Sequence, residues 1–250
     1  MIEDVIFDLD GTLLDTSEGI IESVRYSANA LGFRELPQET LFQFVGPPLV
    51  QSFMAHYGCD RECAQKATEI FRDHYKTVTL YRAKPYDGIY ELCETLKDCG
   101  VKMAVATYKP KEYAIKLLEH FGFDRYCSPM HGADQNGTLK KEDIVRMCLE
   151  ELGASKENSV LIGDTEHDAK GAAIAGIPFL AVTYGFGFKE EEDLLKYPCI
   201  GAASTPREIA HFVIERQKIL TNIHNTRLDG CLAPTDLLFN RFFISEETKK

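Results

Sequence analysis

The segment Asp4-Val5-Ile6-Phe7-Asp8-Leu9-Asp10-Gly11-Thr12 decides the fold. Its apolar run is typical of a buried parallel strand, and the run ends in two aspartates two positions apart. Two carboxylates at one strand end are costly to bury unless a cation lies between them, and Mg²⁺ prefers such hard oxygen ligands. Gly11 and Thr12 permit a sharp turn in which backbone N–H groups converge on an anion. The segment is compatible with a plain Asp-Gly turn, and it also predicts a phosphoryl-transfer site.

Composition indicates an ordinary globular chain of 250 residues, with 44% apolar and 27% charged residues. Because the net charge is −11, we expect neither nucleic acid nor membrane as a partner, and we expect an anionic substrate to be held by a local cationic site. The chain has no run of about eighteen apolar residues and begins directly with a strand pattern, so we predict no membrane span and no signal peptide. The predicted location is the cytoplasm, and the predicted assembly is a monomer or homodimer.

The eight cysteines are scattered, and none forms a Cys-x-x-Cys pair. Cys59 and Cys63, close to His56, could form half of a zinc site, but no second cluster completes it. Unpaired thiols in this number favour a reducing compartment.

Short apolar runs alternate with amphipathic stretches along most of the chain. The runs expected to form buried parallel strands are Val5–Leu9, Val101–Ala106, Val160–Ile162 and Pro178–Val182. Helical spacing marks Ile89–Asp98 and Glu112–His120, and Gly100 and Gly122 stand where these helices are expected to end. The alternation predicts an α/β fold with a doubly wound parallel sheet, whose functional site lies at the carboxyl ends of the strands.

The segment 16–84 interrupts the alternation, because it contains only helical patterns, broken by Gly46-Pro47-Pro48. We predict a helical insertion that overhangs the strand ends as a lid, excludes water and contacts the substrate. The predicted organisation is a core of residues 1–15 and 85–218, an α-helical cap of residues 16–84, and a C-terminal extension of residues 219–250 with no assigned role.

Polar residues also follow two later predicted strands. Thr107 follows its strand, where a hydroxyl can bond a phosphate oxygen without adding charge, although threonine is common at strand ends. Asp164 follows another strand, and Asp168 falls in the first turn of the next helix, where a carboxylate is favoured. These aspartates complete a carboxylate set for one Mg²⁺. His167 could titrate near neutrality or simply pack locally.

Lys140 and Lys141 begin a predicted helix that extends to about Leu152. Cations at a helix N-terminus oppose the helix dipole, so the pair either serves an anion or lies in solvent.

Four stretches together resemble the motifs of the haloacid-dehalogenase-like superfamily of phosphohydrolases. In chain order they are Asp8-Leu9-Asp10-Gly11-Thr12, Thr107, Lys141 and Gly163-Asp164-Thr165-Glu166-His167-Asp168. The insertion resembles the subclass with an α-helical cap, and segments 10–16, 44–49 and 106–110 look most like its phosphoglycolate-phosphatase-like and bacterial 5′-nucleotidase-like members. The resemblance covers residues 1 to about 218. It departs at Tyr108, where relatives often have Ser, and Lys140 competes with Lys141 for the third motif.

The resemblance implies a Rossmann-like core and a Mg²⁺-dependent phosphatase that hydrolyses a small-molecule phosphomonoester through an aspartyl-phosphate. It implies that Asp8 is the nucleophile and that Asp10 is the general acid and base. The implied metal ligands are Asp8, Asp10 through its backbone carbonyl, Asp164 and Asp168, the last directly or through a bound water. The implied phosphate contacts are Thr107, Lys141 and the backbone N–H groups from Leu9 to Gly11.

Three alternatives compete with a phosphatase. A dehalogenase of this fold needs no Mg²⁺ and normally lacks the second aspartate, so Asp10 argues against it. A phosphomutase of the β-phosphoglucomutase type would return the phosphoryl group to a sugar phosphate, which the core residues do not exclude. A non-catalytic binding protein would be expected to lack at least one core residue, and all of them are present.

We expect the insertion and its junctions to select the substrate. The candidate contacts are Glu18, Arg25, Gly46, Arg82 and Lys84. Arg82 or Lys84 could pair with a second anionic group, which suits phosphoglycolate. Tyr81, Tyr86 or Tyr108 could instead stack on the base of a nucleotide.

Overall fold

The computed structural model describes residues 2–134 and 138–215. Its strands are β1 (Asp4–Phe7), β2 (Leu14–Asp15), β3 (Lys84–Pro85), β4 (Lys102–Pro110), β5 (Cys127–Ala133), β6 (Ser159–Gly163), β7 (Phe179–Val182) and β8 (Ala202–Ala203). Six of them form one sheet in the order β5-β4-β1-β6-β7-β8, and every neighbouring pair in it is parallel. The chain therefore has the predicted α/β fold with a parallel sheet.

The helices are α1 (Ser17–Ala30), α2 (Gln38–Phe42), α3 (Leu49–Tyr57), α4 (Arg61–His74), α5 (Ile89–Asp98), α6 (Lys111–His120), α7 (Lys141–Leu152), α8 (Glu166–Ala175) and α9 (Glu191–Leu194). A π-helical turn, Tyr75–Thr79, continues α4, a 3₁₀ turn spans Lys156–Asn158, and residues 206–215 are also helical. No helix in residues 2–134 and 138–215 combines the length and the apolar character that crossing a membrane requires.

Alternate residues of the central strands pack into two separate apolar layers. Val5 and Phe7 belong to one cluster with side chains of α1, α5 and α6, whereas Ile6 belongs to a second cluster with side chains of α7 and α8. Side chains of a strand alternate between its two faces, so a central strand with helices on both sides must be apolar throughout. The doubly wound arrangement follows from this pattern.

The four strands predicted from apolar runs are present, and the two largest differences are at their carboxyl ends. Strand β1 stops at Phe7, and the chain bends from Leu9 onward. Strand β4 extends to Pro110, so Thr107 lies within the strand and does not follow it. Strands β5 and β8 were not predicted. The sequence of β5 contains Pro, His and Gly, which weaken a strand pattern, and β8 has only two residues.

The segment between β2 and β3 is helical, with α1 to α4 and the π-helical turn. Strands β2 and β3 pair antiparallel, with Leu14 opposite Pro85 and Asp15 opposite Lys84. The chain thus leaves the core and returns to it through one short two-stranded ribbon. Its position agrees with the predicted boundaries at 15 and 85, while the division into domains stays a prediction. The predicted extension at 219–250 lies outside the described residues.

Candidate active site

Strand register brings the candidate residues of three strands to one edge of the sheet. Phe7, the last residue of β1, pairs with Val105 on one side and with Ile162 on the other. The residues just beyond these pairs, Asp8, Thr107 and Asp164, consequently lie at the carboxyl edge of adjacent strands. Open parallel sheets place their ligand sites at this edge.

Lys141 joins two of the candidate aspartates. Its Nζ lies 2.5 Å from Oδ1 of Asp8 and 2.6 Å from Oδ1 of Asp168, and the side chain is buried. Lys140, the residue before α7, is exposed. Of the two lysines between which the sequence could not decide, the structure places Lys141 beside the candidate nucleophile.

The local sequence of α8 positions Asp168. Thr165 precedes the helix, and its N–H and hydroxyl both donate to Oδ2 of Asp168, at 3.0 and 2.7 Å. This reciprocal capping pair fixes the carboxylate at the helix N-terminus. The other oxygen of Asp168 is thereby directed to Lys141.

Burial and mutual charge shape the electrostatics of this group. Burial raises the pKa of Asp8 well above its usual range, Asp168 and Asp164 add to the rise, and Lys141 opposes it. Burial alone would lower the pKa of Lys141, but the carboxylates of Asp168 and Asp8 raise it above its ordinary value. Lys141 therefore stays charged at the site, and the three aspartates of the group outnumber this single cation.

The acidic group fits a divalent cation. Carboxylate oxygens of Asp8, Asp164 and Asp168 lie within 4.8 Å of one another. Oδ2 of Asp164 accepts hydrogen bonds from the N–H groups of Phe186 and Gly187, at 2.7 and 3.1 Å, whereas its buried Oδ1 has no partner among the described residues. Burial, followed by the charge of Asp168, raises the pKa of Asp164 to about 7 despite those two bonds. A cation beside Oδ1 would satisfy the unpaired oxygen and relieve the repulsion.

The side chain of Asp10 points to a different partner. Its two carboxylate oxygens accept hydrogen bonds from Nζ of Lys109, at 2.9 and 3.0 Å, and Oδ1 also accepts one from the Thr16 hydroxyl, at 2.5 Å. The Asp10 carboxylate is thus not part of the acidic group, and the metal contact through its backbone carbonyl stays a prediction.

Lys109 is a residue of the site to which the sequence analysis assigned no role. It is buried, and its Nζ lies 5.1 Å from the centroid of the Tyr75 ring. Lys109 stands two positions after Thr107, and side chains two apart on a strand point to the same face. That spacing was the available signal. The predicted strand ended at Ala106, so both residues lay beyond it.

Gly11 approaches Asp164 closely, with φ of +86°. A Cβ atom there would lie 2.2 Å from Oδ2 of Asp164, so only glycine fits. The N–H of Gly11 donates to the carbonyl of Leu14, at 2.9 Å. This bond does not support the predicted phosphate contact through the Gly11 amide, because the turn itself uses that donor. The predicted contacts of Leu9 and Thr107 stay predictions.

A cavity of about 420 Å³ lies between the strand ends and the helical insertion. From the core it is lined by Asp8, Asp10, Thr107, Lys109, Lys141 and Asp168. From the insertion it is lined mainly by apolar side chains and by five polar ones, Gln51, Arg61, Thr68, Arg72 and Tyr75. Its volume is in the range of small-molecule sites.

Most of the residues that were predicted to select the substrate do not line this cavity. Gly46, Tyr108 and also His167 line the cavity, and the rings of Tyr108 and His167 meet edge to face at 5.5 Å. The other predicted contacts do not line it: Glu18, Arg25, Tyr81, Arg82, Lys84 and Tyr86. Arg82 pairs with Glu22, and Lys84 lies 3.8 Å from Asp15.

The possible zinc site is not formed. The seven described cysteines are free, and within residues 2–134 and 138–215 the three aspartates are the only cluster of potential metal ligands. Cys59, Cys63 and His56 are therefore not assembled as ligands.

Comparison with known proteins decides the family. Residues 5–182 match the haloacid dehalogenase-like hydrolase family. The chain belongs to this family. It is therefore a haloacid dehalogenase-like phosphohydrolase, as its motifs predicted.

Two relatives and one solved structure illustrate the similarity. The chain is 40% identical over 188 residues to a 5′-nucleotidase of Pseudomonas aeruginosa, covering 75% of this chain and 85% of that protein. It is 34% identical over 206 residues to the tyrosine-protein kinase PtkA of Mycobacterium tuberculosis, covering 82% and 70%. It also resembles the crystal structure of a predicted phosphatase from Clostridium acetobutylicum, with a TM-score of 0.80 and 38% identity over 86% of this chain and 99% of that one.

Proposed function

We propose that this haloacid dehalogenase-like enzyme is a Mg²⁺-dependent phosphatase that hydrolyses a small phosphomonoester through an aspartyl-phosphate on Asp8. The observation that most directly supports the proposal is the buried contact of Lys141 with Asp8 and Asp168. A fixed cation beside a carboxylate that faces a cavity suits attack on an anionic phosphoryl group, because the cation offsets the repulsion between the two anions.

The reaction has two steps at one phosphorus atom. In the first, a carboxylate oxygen of Asp8 forms a bond to phosphorus, the ester P–O bond breaks, and Asp10 gives a proton to the leaving oxygen. In the second, Asp10 takes a proton from water, the resulting oxygen attacks phosphorus, and inorganic phosphate leaves with regeneration of Asp8. Both aspartates line the same cavity, as the two steps require.

The remaining residues of the site bind and orient the metal and the phosphoryl group. Asp8, Asp164, Asp168 and the backbone carbonyl of Asp10 would hold Mg²⁺, which when bound supplies positive charge to the oxygens of the transferring phosphoryl group. Lys141 and Thr107, with backbone N–H groups near Leu9, contact the other phosphate oxygens.

The substrate class we propose is a phosphoglycolate-like compound or a 5′-nucleotide, in the cytoplasm. The 5′-nucleotidase of Pseudomonas aeruginosa supports a nucleotide by similarity alone. The apolar lining that the insertion contributes is compatible with an organic leaving group.

Phosphate release tests the proposal. A panel of phosphoglycolate, 5′-nucleotides, sugar phosphates and pyrophosphate is assayed with Mg²⁺ and with EDTA, using Asp8→Asn as the blank and the exposed Asp98→Asn as the matched control. We expect activity that requires both Mg²⁺ and Asp8, and a phosphoryl-enzyme that acid quenching traps in the wild type only. Hydrolysis that persists in EDTA, or phosphoryl transfer to a sugar phosphate or a tyrosine peptide in place of water, would contradict it.

A further inference from the structure

We propose that Tyr75 and Arg72 form a subsite for a second anionic group, a carboxylate or a phosphate, on the leaving part of the substrate. The inference rests on the proposed phosphatase function and narrows its substrates to phosphomonoesters with another negative charge a few bonds from the ester oxygen.

Tyr75 offers a buried hydroxyl proton without an acceptor. The residue is only 2% exposed and lines the cavity, and no described residue accepts a hydrogen bond from its hydroxyl group. The group that interacts with the hydroxyl oxygen is the Lys109 ammonium, which is itself a donor. Buried polar atoms are nearly always paired, so an unpaired donor facing a cavity indicates a group that a ligand completes. The π-helical turn that begins at Tyr75 is a rare element that is frequent at functional sites.

The position of Tyr75 places this hydroxyl close to the reacting groups. Nζ of Lys109 lies over its ring, and the same ammonium group binds both carboxylate oxygens of Asp10. Since Asp10 is the proposed proton donor to the leaving oxygen, Tyr75 lies on the leaving-group side of the cavity and not on the side of Lys141.

Arg72 provides an exposed charge that no acid of the described residues pairs with. It precedes Tyr75 by three residues, which puts the two side chains on one face of the helix, and both line the cavity. Among the described residues no carboxylate oxygen lies within 4.0 Å of its guanidinium, whereas the two lysines of the cavity, Lys109 and Lys141, are each paired with aspartate. Arg72 is thus a cation of this cavity that can still accept an anionic partner.

Tyr113 lines the cavity beside Tyr75. Burial and the charges of Glu112 and Asp73 raise its pKa, while the positive charges of Arg72 and Lys109 oppose the rise. Its ring meets the ring of Tyr75 edge to face, at 5.9 Å. Two tyrosines and Arg72 therefore border the same space, and because Lys109 is already paired with Asp10, Arg72 is the charge there that is left for an anion.

The chemistry favours a carboxylate or a phosphate as the bound group. A guanidinium donates two parallel hydrogen bonds to either of them, and a tyrosine hydroxyl donates one more. Arg61, which also lines the cavity, begins the same helix eleven residues earlier. At about 1.5 Å of rise per residue it lies about 16 Å away along the helix axis, beyond the reach of a short substrate held by Arg72.

Matched substrates test the subsite. Phosphoglycolate and ethyl phosphate share a two-carbon chain and differ in the carboxylate, and ethanediol bisphosphate replaces the carboxylate with phosphate. We expect wild-type kcat/KM to favour one or both anionic compounds over ethyl phosphate by about tenfold or more, as charge-assisted hydrogen bonds provide. Which anionic compound is preferred distinguishes a carboxylate site from a phosphate site.

Substitutions test whether Arg72 and Tyr75 bind the second anionic group. Arg72→Gln and Tyr75→Phe should each reduce that preference about tenfold, mainly through KM of the anionic substrate, since each removes a donor to it. Arg61→Gln, the same charge change at the other end of the helix, should retain the wild-type preference. Equal effects of Arg61→Gln and Arg72→Gln would indicate general attraction of anions and would overturn the subsite.

Calorimetry separates failure of the subsite from failure of the phosphatase proposal. Dissociation constants of the same three compounds are measured in the Asp8→Asn background, with and without Arg72→Gln. Equal affinity for ethyl phosphate and both anionic compounds overturns the subsite, whatever the turnover of the wild type. Tighter binding of an anionic compound that depends on Arg72, with no hydrolysis of any ester by the wild type, supports the subsite and overturns the phosphatase proposal.

Discussion

Lys109 donates hydrogen bonds to both carboxylate oxygens of Asp10, although the two residues are 99 positions apart in the chain. The pair is buried at the wall of the cavity. Asp10 raises the pKa of Lys109 against the opposing effect of burial, so the lysine stays charged. The orientation of the proposed acid and base therefore depends on a lysine from another strand.

Replacing this lysine should reduce catalysis. Because Lys109→Met leaves Asp10 without its cation, we expect kcat to fall by about 10- to 100-fold and stability by about 3 kcal/mol. Lys109→Arg should restore part of the activity. Steady-state kinetics and urea denaturation measure both effects, and the exposed Lys116→Met is the control. Unchanged kcat in a folded Lys109→Met variant would show that the pair is only structural.

The two lysines at the start of α7 should behave differently. Lys141→Ala removes the cation beside Asp8 and Asp168, so we expect kcat/KM to fall by at least about a thousandfold, as for loss of a preorganised charge. Lys140→Ala removes an exposed side chain, and activity should change less than about twofold, as is usual for such sites. Comparable losses in the two variants would contradict the placement of Lys141 at the site.

The raised pKa of Asp164 predicts how stability depends on pH without Mg²⁺. Its carboxyl titrates near 3.8 when unfolded and at about 7 when folded, so the folded state binds more protons between these values. The free energy of unfolding should therefore fall by a few kcal/mol as the pH rises from about 4 to about 7. Asp164→Asn should reduce this fall, and Asp8, whose pKa burial also raises, should retain a fall of the same sign.

Mg²⁺ should oppose this loss of stability, because it binds the ionised carboxylates. We expect Mg²⁺ to raise the melting temperature more at about pH 8 than at about pH 5, and to have little effect on Asp164→Asn. Thermal denaturation by circular dichroism, with Asp98→Asn as the control, measures both dependences. An Mg²⁺ effect that is equal in the wild type and in Asp164→Asn would rule out this aspartate as a ligand.

Gly11→Ala should damage the site beyond the cost of its backbone conformation. An added Cβ would collide with the Asp164 carboxylate, whereas at Gly100, with φ of +75°, no atom lies within 4 Å of the same position. Gly100→Ala should cost only about 1 kcal/mol, typical of an L-residue in this region, and keep its activity. Gly11→Ala should lose more stability and weaken the activation by Mg²⁺, as a titration of activity against Mg²⁺ shows. Equal losses of stability and of Mg²⁺ activation in Gly11→Ala and Gly100→Ala would contradict the close contact of Gly11 with Asp164.

The sequence was sufficient to predict the acidic residues that follow a strand or begin the helix after it. Asp8, Asp164 and Asp168 follow apolar runs or begin a helix, and these local patterns predicted their common location. The limits of α5 were predicted to the residue, because Ile89–Asp98 has a regular apolar spacing. Strand β5 was missed, since its proline, histidine and glycine conceal a strand that neighbouring structure stabilises.

Residues that act across the fold could not be predicted in this way. Lys109, Arg72 and Tyr75 meet only because the insertion folds over the strand ends, and nothing in the spacing of α4 indicates which of its faces meets Lys109. Conversely, Arg82 and Lys84 were plausible anion ligands by charge alone. In the structure each of them is paired with a neighbouring acid, Arg82 with Glu22 and Lys84 with Asp15.

The ribbon of β2 and β3 has a consequence for how such an enzyme can change. Because Leu14 faces Pro85, the ends of the seventy-residue excursion are neighbours, and any folded unit with adjacent termini could replace it without stretching the sheet. Asp8, Lys141 and Asp164 all lie outside the excursion, whereas Arg72 and Tyr75 lie inside it. Evolution can therefore exchange the part proposed to select the ester while the part that carries Asp8, Lys141 and Asp164 is inherited intact.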